Sequence, residues 1–351
     1  MTHLWVRSEQ RANEDRVGLT PAGASALLKK GITVTVEESK SRIIPTEAYH
    51  AVGCTIATEN SWSNAPETAI IFGLKELPDD NSKLHHRHIM FGHAYKDQHS
   101  GLTLLRRFKE GGGVLYDLEY LVDKAGRRVA AFGYWAGFAG AAISVMCWIA
   151  QQNGAICPSV ASYSHQKALI DELSQEIAAL DVPLPNAIVI GALGRVGTGA
   201  ADLCAALGIP VTKWDIAETA SGGPFPEILT HTLFFNCILA RPGTPVFASH
   251  DIVKRDRALR VIGDIACDPD SDYNPIPLYS RATNWATPAT RVASVPPLDV
   301  MAIDNLPSLL PLESSEDFAR QLLPYLLELD TLEKSVWGRA KKTFDQHIKG
   351  V

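Results

Sequence analysis

What is scarce in this sequence already excludes several kinds of protein. Its six cysteines stand at 54, 147, 157, 204, 237 and 267, and no pair has C-x-x-C spacing. That leaves no thiol zinc site and no dithiol redox motif. The cysteine count is low for the length, nothing marks the chain as secreted, and a reducing cytoplasm is expected. There is no basic excess either. Lys and Arg number 33 against 39 Asp and Glu, for a net charge of −6. Nucleic-acid binders usually carry the opposite balance, so nucleic acid is not an expected partner. The opening MTHLWVRSE has no apolar h-region, so no signal peptide is expected. No short-period repeat and no low-complexity tract is present.

What is there fits a soluble globular protein: 46% hydrophobic and 21% charged residues. At roughly 100–200 residues per domain, 351 residues imply two domains or three. A chain of this size buries a large core without staples. One run tests that picture. Residues 129–150 hold 22 positions without a charge or a histidine, long enough for a membrane span. Gly133, Gly137 and Gly140 interrupt it and no second span exists. It is expected instead as a buried helix over 134–152 that bridges the two domains.

Short apolar runs alternate with amphipathic stretches along the chain. Strands are expected at 4–7, 32–37, 54–57, 69–74, 88–92 and 114–118. Helices are expected at 20–30, 46–53 and 102–109. Thr20 is an N-cap with Pro21 at the first helical position, and Gly31 stops that helix. After the apolar helix comes a loop at 153–164 and an amphipathic helix at 165–180. A second series follows, with strands at 187–191, 210–214, 232–238, 260–265 and 300–303 and a helix at 197–207. Two amphipathic helices, 313–328 and 331–347, close the chain. Strands alternating with helices imply α/β domains with mostly parallel sheets.

The strongest local motif runs Ala187-Ile-Val-Ile-Gly191-Ala192-Leu193-Gly194-Arg195-Val196-Gly197. A strand enters a glycine turn and then a helix, the context of a dinucleotide fingerprint. Free N–H groups at the helix start would receive a pyrophosphate. Ala192 stands where the first glycine of G-x-G-x-x-G would be, while Gly194 and Gly197 fill the other two places. Asp215 ends the next strand, 18 residues after Gly197, close to the roughly 20 expected for the carboxylate that binds the adenosine ribose. An acid there repels a 2′-phosphate, which favours NAD over NADP.

Ligands of open parallel sheets bind beyond the carboxyl ends of the strands. In the first half that edge would gather Arg16, Lys75, Glu76, His93, Lys96 and Glu119. Cations there would bind carboxylates, and Lys and His are common proton-transfer groups. His85-His86-x-His88 lacks a fourth ligand at sensible spacing, so no metal site is expected, and the cluster reads as exposed. Arg127-Arg128 reads as a boundary charge pair or an anion contact.

These residues carry a resemblance. Glu14-Asp15-Arg16-Val17-Gly18-Leu19-Thr20-Pro21 is similar to the opening shared by alanine dehydrogenases, transhydrogenase alpha subunits and saccharopine dehydrogenases. Gly73-Leu74-Lys75-Glu76, Phe91-Gly92-His93-Ala94-Tyr95-Lys96-Asp97-Gln98, Leu115-Tyr116-Asp117-Leu118-Glu119, Gly126-Arg127-Arg128-Val129-Ala130-Ala131-Phe132-Gly133 and Asp304-Asn305-Leu306-Pro307-Ser308 narrow it. So do Lys213-Trp214-Asp215-Ile216 and Gly222-Gly223-Pro224-Phe225. Together they resemble the fungal-type, NAD-dependent, lysine-forming saccharopine dehydrogenase family, over about residues 5–348.

The resemblance implies two Rossmann-like domains with parallel sheets and an interdomain cleft. Residues 1–133 with about 312–351 would form the catalytic domain and 134–311 the NAD domain. It implies reversible conversion of saccharopine, a lysine-biosynthesis intermediate, to lysine and 2-oxoglutarate. Lys75 would take the amine proton, and His93 would serve water attack and carbinolamine collapse. Glu76 and Glu119 would tune the protonation of that pair, since a carboxylate beside a cation favours its charged form. Arg16, Lys96 and Arg128 would hold carboxylates and Phe132 would line the pocket. Arg127, Gly194, Arg195, Gly197, Asp215, Thr219, Asp304, Asn305 and Leu306 would contact NAD. Val196 stands where fungal members often have cysteine, so no loop disulfide with Cys237 carries over. The segment 266–268 is less alike, and its substrate contacts stay open. The rival readings are an alanine-type or other opine-type amino-acid dehydrogenase, a non-catalytic NAD sensor and a membrane-anchored protein. A monomer or small homo-oligomer without a membrane is expected.

Overall fold

Six short runs of β-branched and apolar residues build the first sheet: β1 (His3–Val6), β2 (Thr33–Glu37), β3 (Thr55–Ala57), β4 (Ile70–Phe72), β5 (Arg87–Met90) and β6 (Val114–Asp117). They lie in the order β3-β2-β1-β4-β5-β6, every neighbouring pair parallel. Trp5 sits opposite Thr35 on one side and Ile71 on the other. The helices α1 (Pro21–Lys29), α2 (Thr46–Ala51) and α3 (His99–Gly111) make crossovers. Thr20 caps α1 by accepting a hydrogen bond from Gly23 N at 3.2 Å. The computed structural model describes residues 2–78, 80–95 and 99–351.

The chain steps outward from β1 to β3, then returns to place β4 on the other side of β1. Strand order therefore reverses between β1 and β4, the position at which α/β sheets bind ligands.

The long apolar run forms α4 (Gly133–Gln152), followed by α5 (Gln166–Ala178), β7 (Ala187–Ile190), α6 (Arg195–Ala206), β8 (Val211–Trp214), the short α7 (Ile216–Thr219), β9 (Leu233–Asn236), β10 (Val261–Asp264), β11 (Ala289–Ser294) and β12 (Pro297–Met301). The second sheet has the order β11-β12-β10-β9-β7-β8. Its order reverses between β7 and β9. All pairs are parallel except β11 with β12.

That hairpin departs from the sequence reading, which has only one last strand at 300–303. Ala289–Ser294 is half-exposed and carries no apolar run, so its strand character comes from pairing. Its Arg291 is an ion-pair partner of the fully buried Asp299, which also accepts from Gln151 at 2.7 Å.

Two C-terminal helices, α8 (Pro311–Leu326) and α9 (Val336–His347), complete the fold. A 3-10 turn, Leu329–Lys334, separates them, and Ser335 caps α9. The contacts divide the chain into two units, Met1–Ala131 with Pro311–Val351, and Phe132–Leu310. In the first unit α9 packs on β6, with Trp337 meeting Tyr116 edge-on and Phe344 meeting Phe108.

The apolar run expected to bridge two domains buries its surface within the second unit, against α5, α6, β9, β10 and β12. It is long and apolar enough to cross a membrane, yet 78% of its most apolar window is covered. Its crossing with α6 is close because both helices present glycine. A Cβ on Gly137 would overlap the Val196 carbonyl, and one on Gly199 the Tyr134 carbonyl.

Candidate active site

In the first unit, strand order places the segments after β1, β4, β5 and β6 side by side at one sheet edge. Arg16 comes from the first, Lys75 and Glu76 from the second, His93 from the third and Glu119 from the fourth.

Arg16 is buried and held in a two-point pair with Glu14, Nε to Oε1 at 2.7 Å and Nη2 to Oε2 at 2.6 Å. Burial alone would raise the Glu14 carboxyl. The charge and hydrogen bonds of Arg16, with the charge of Lys75, hold it below the ordinary carboxylate range. Glu76 is more exposed and faces Arg11 at 3.5 Å.

His93 adopts a left-handed backbone, φ 48°, uncommon for a non-glycine residue. Its Nδ1 lies 3.3 Å from Glu119 Oε2, and Glu119 Oε1 is 3.3 Å from Arg128 Nη2. One carboxylate thus joins the histidine to a guanidinium. Asp117, fully buried at the end of β6, accepts from Glu119 N at 2.9 Å, and its other oxygen packs against Gly92. Burial pushes the Asp117 carboxyl up to about 6, although the backbone N–H groups of Glu119 and Gly92 oppose this.

Arg127 turns outward and pairs with Asp123 at 3.0 Å. Lys96 lies outside the described residues. Phe132 occupies the N-cap position of α4 and is half-buried.

In the second unit the glycine turn follows β7 at the point of strand-order reversal. Gly191 has φ 89°, so it, rather than position 192, makes the left-handed turn. A Cβ on Gly197 would overlap the Gly191 carbonyl, so the helix packs directly on the turn. Gly194 is the N-cap of α6, and Arg195 is its exposed first residue.

Asp215 begins α7 in a capping box: its Oδ1 accepts from Ile216 N at 2.9 Å and its N donates to Glu218 at 2.7 Å. Its Oδ2 accepts from Leu193 N at 2.9 Å, which ties the acid to the glycine turn. Thr219 donates to the Asp215 carbonyl at 2.9 Å. The turn, a helix start with no side-chain cap, and the acid fit a dinucleotide. Asp304 is exposed, and Asn305 bonds Ser308 at 2.7 Å. Leu306 is buried against Gly140 of α4, which leaves a ligand only its backbone.

The histidine cluster needs correction. His85 is exposed, but His86 and His88 are buried. His88 points from mid-strand β5 into an aromatic cage, edge-on to Trp62 and Phe108, and burial holds its ring well below the usual histidine range. The apolar side of the sheet takes this position because strand residues alternate faces. Among the described residues no cluster could hold a metal ion.

Several residues escaped the sequence reading. Glu9 and Arg7 hold the backbone of Lys75. Asp264, at the end of β10, accepts from Asn236 at 2.9 Å and Tyr279 at 2.6 Å, just before the segment 266–268 left open by the sequence. None lies in a spacing pattern. The one legible signal was Gly191, adjacent to the expected first glycine.

The sequence model of the alanine dehydrogenase/PNT N-terminal domain family matches residues 5–139. A saccharopine dehydrogenase [NAD(+), L-lysine-forming] from Yarrowia lipolytica is 44% identical, covering 98% of this chain and 97% of its own. The protein of that name from Schizosaccharomyces pombe is 42% identical, covering 99% and 98%. Among solved structures, an L-alanine dehydrogenase superposes with TM-score 0.68 at 18% identity, covering 99% of this chain and 94% of its own. A transhydrogenase from Sinorhizobium meliloti gives 0.64 at 16%, covering 95% and 94%. Those two likenesses concern the Rossmann-like fold. Identity above 40% over nearly the whole length decides the family: the chain belongs to the NAD(+)-dependent, L-lysine-forming saccharopine dehydrogenases.

Proposed function

We propose that this protein is an NAD-dependent saccharopine dehydrogenase, which oxidises saccharopine and releases L-lysine and 2-oxoglutarate, reversibly. The observation that carries the reading is the 42–44% identity to proteins of that name over 98–99% of the chain.

Saccharopine is a secondary amine with three carboxylates, so its site needs cations and groups that move protons. Arg16, Lys96 and Arg128 bind carboxylates, and Phe132 lines the pocket. A guanidinium carries five N–H donors, so Arg16 can serve a substrate carboxylate beside its two-point pair with Glu14. Lys75 takes the amine proton as the C–H bond at the glutarate carbon breaks. His93 then removes a proton from the water that attacks the imine carbon. As the water adds, nitrogen regains the proton held by Lys75. His93 then returns the water proton to nitrogen as the carbinolamine C–N bond breaks, while Lys75 takes the hydroxyl proton as the carbonyl forms, releasing the lysine amine and the oxoacid. Lysine and histidine suit these tasks because their protonation responds to neighbours. Support for His93 comes from its 3.3 Å pair with Glu119. A carboxylate at that distance can hold the ring in one orientation beside the strand end. Support for Lys75 comes from its strand-end place, where its charge acts on Glu14. Glu76 tunes the same site from its outer side.

NAD, when bound, supplies the hydride acceptor. Gly194, Gly197 and Arg195 receive its pyrophosphate, Asp215 its adenosine ribose, and Arg127, Thr219 and the Asp304–Asn305–Leu306 segment complete the contacts. The protein acts on small molecules in the cytoplasm, as a monomer or small homo-oligomer.

Turnover with saccharopine and NAD+, read as NADH absorbance, tests the reading, with alanine as the comparison substrate. Saccharopine is expected to be consumed and alanine not. Preference for alanine would overturn the substrate. Retained turnover in Lys75→Met with His93→Gln would overturn the assigned chemistry.

A further inference from the structure

Lys75 is held in place by two buried charged side chains that reach it from a different strand. Glu9 follows β1, and Lys75 follows β4, its neighbour in the sheet. Glu9 Oε1 accepts from Leu74 N at 2.6 Å, and Oε2 accepts from Lys75 N at 3.0 Å. Arg7 donates to the Lys75 carbonyl oxygen and pairs with Glu9 Oε2 at 3.3 Å. The two side chains are 1% and 7% exposed. Gly73 is part of the same arrangement, since a Cβ there would run into the Arg7 guanidinium.

Both backbone polar groups of Lys75 are therefore claimed by ionised partners. Hydrogen bonds of that kind are about twice as strong as neutral ones. A lysine side chain has a long flexible stem, so the place and direction of its Cα set where Nζ can reach. We propose that Glu9, locked by Arg7, is a positioning residue that fixes Lys75 for proton transfer. This inference rests on the reading of Lys75 as the base.

The test compares Glu9→Ala, Glu9→Gln and Lys75→Met in the full-length protein. Steady-state kinetics with saccharopine and NAD+ is measured across pH, with NADH binding by fluorescence and thermal unfolding alongside. Glu9→Ala is expected to lower kcat at least about tenfold. Glu9→Gln keeps one acceptor oxygen and is expected to recover part of that loss. NADH affinity is expected to stay within about twofold in both, since the glycine turn belongs to the other unit. In a Lys75→Met background, Glu9→Ala is expected to add no further loss, which a general structural defect would do.

If Glu9→Ala does not fold, Glu9→Gln carries the comparison. Glu9 variants within twofold of the parent in kcat, or equal losses with and without Lys75, would overturn the positioning role alone. Retained turnover in Lys75→Met would overturn the reading of the base, and the positioning role with it.

Discussion

Single residues couple this site to pH. Asp117 sits behind the His93–Glu119 pair, with its carboxyl pushed up from 3.8 to about 6 by burial. The folded state keeps this proton to higher pH than the unfolded chain. Its contribution is therefore fully present below about pH 4 and lost as pH rises through about 6. That difference corresponds to about 3 kcal/mol. His88 acts with the opposite sign. Its ring is held neutral by burial and by the nearby charge of Arg7, so stability falls as pH drops below the ordinary histidine range. Asp117→Asn separates the two, because His88 is common to both proteins. The Tm of the variant relative to the parent is expected to rise between about pH 4 and about pH 7. A difference that stays flat across that range would count against the buried acid. None of this was legible beforehand. Asp117 looks like an ordinary strand residue, and His88 like part of an exposed cluster, until the neighbouring strands enclose them.

At the scale of elements, composition identified helix and strand better than it identified their partners. The apolar run at 129–150 reads as a helix because it lacks charge, and the structure forms α4 over Gly133–Gln152. What it packs against depends on where glycine removes bulk. Gly137→Ala would drive a methyl into the Val196 carbonyl at the start of α6. We expect a cost of about 1–3 kcal/mol, typical of overpacking, seen as a lower Tm. Weaker NADH binding is expected with it, since Val196 lies between Gly194 and Gly197. A variant as stable as the parent would show that the two helices do not cross at these glycines. The hairpin of β11 and β12 escaped the sequence reading for the converse reason. Its first strand is half-exposed, and antiparallel pairing, not hydrophobicity, makes it a strand.

For the molecule as a whole, the chain leaves the first unit at Ala131 and returns at Pro311. The returning helices bury Phe318, Leu322, Leu326, Trp337 and Phe344. Each large apolar side chain contributes about 1.5–3 kcal/mol on burial. Five of them together rival the whole 5–15 kcal/mol stability of a typical protein. Truncation after Leu310 is therefore expected to leave the first unit unfolded, measured as loss of soluble protein and of turnover. A soluble truncated protein with normal turnover would refute that dependence.

Local patterns alone determined much about this protein. The alternation of strands and helices, the glycine turn with its acid, and the strand-end positions of Arg16, Lys75, His93 and Glu119 are all readable from neighbours in sequence. Strand propensity, turn chemistry and helix caps act over a few residues, and that range suffices for them. Only the tertiary structure decided which side chains clasp one another. Glu9 meets Lys75, Asp117 backs His93, and Asp264 meets Asn236, because parallel strands distant in sequence end side by side. Those contacts arise from sheet order and burial, which no window along the chain contains.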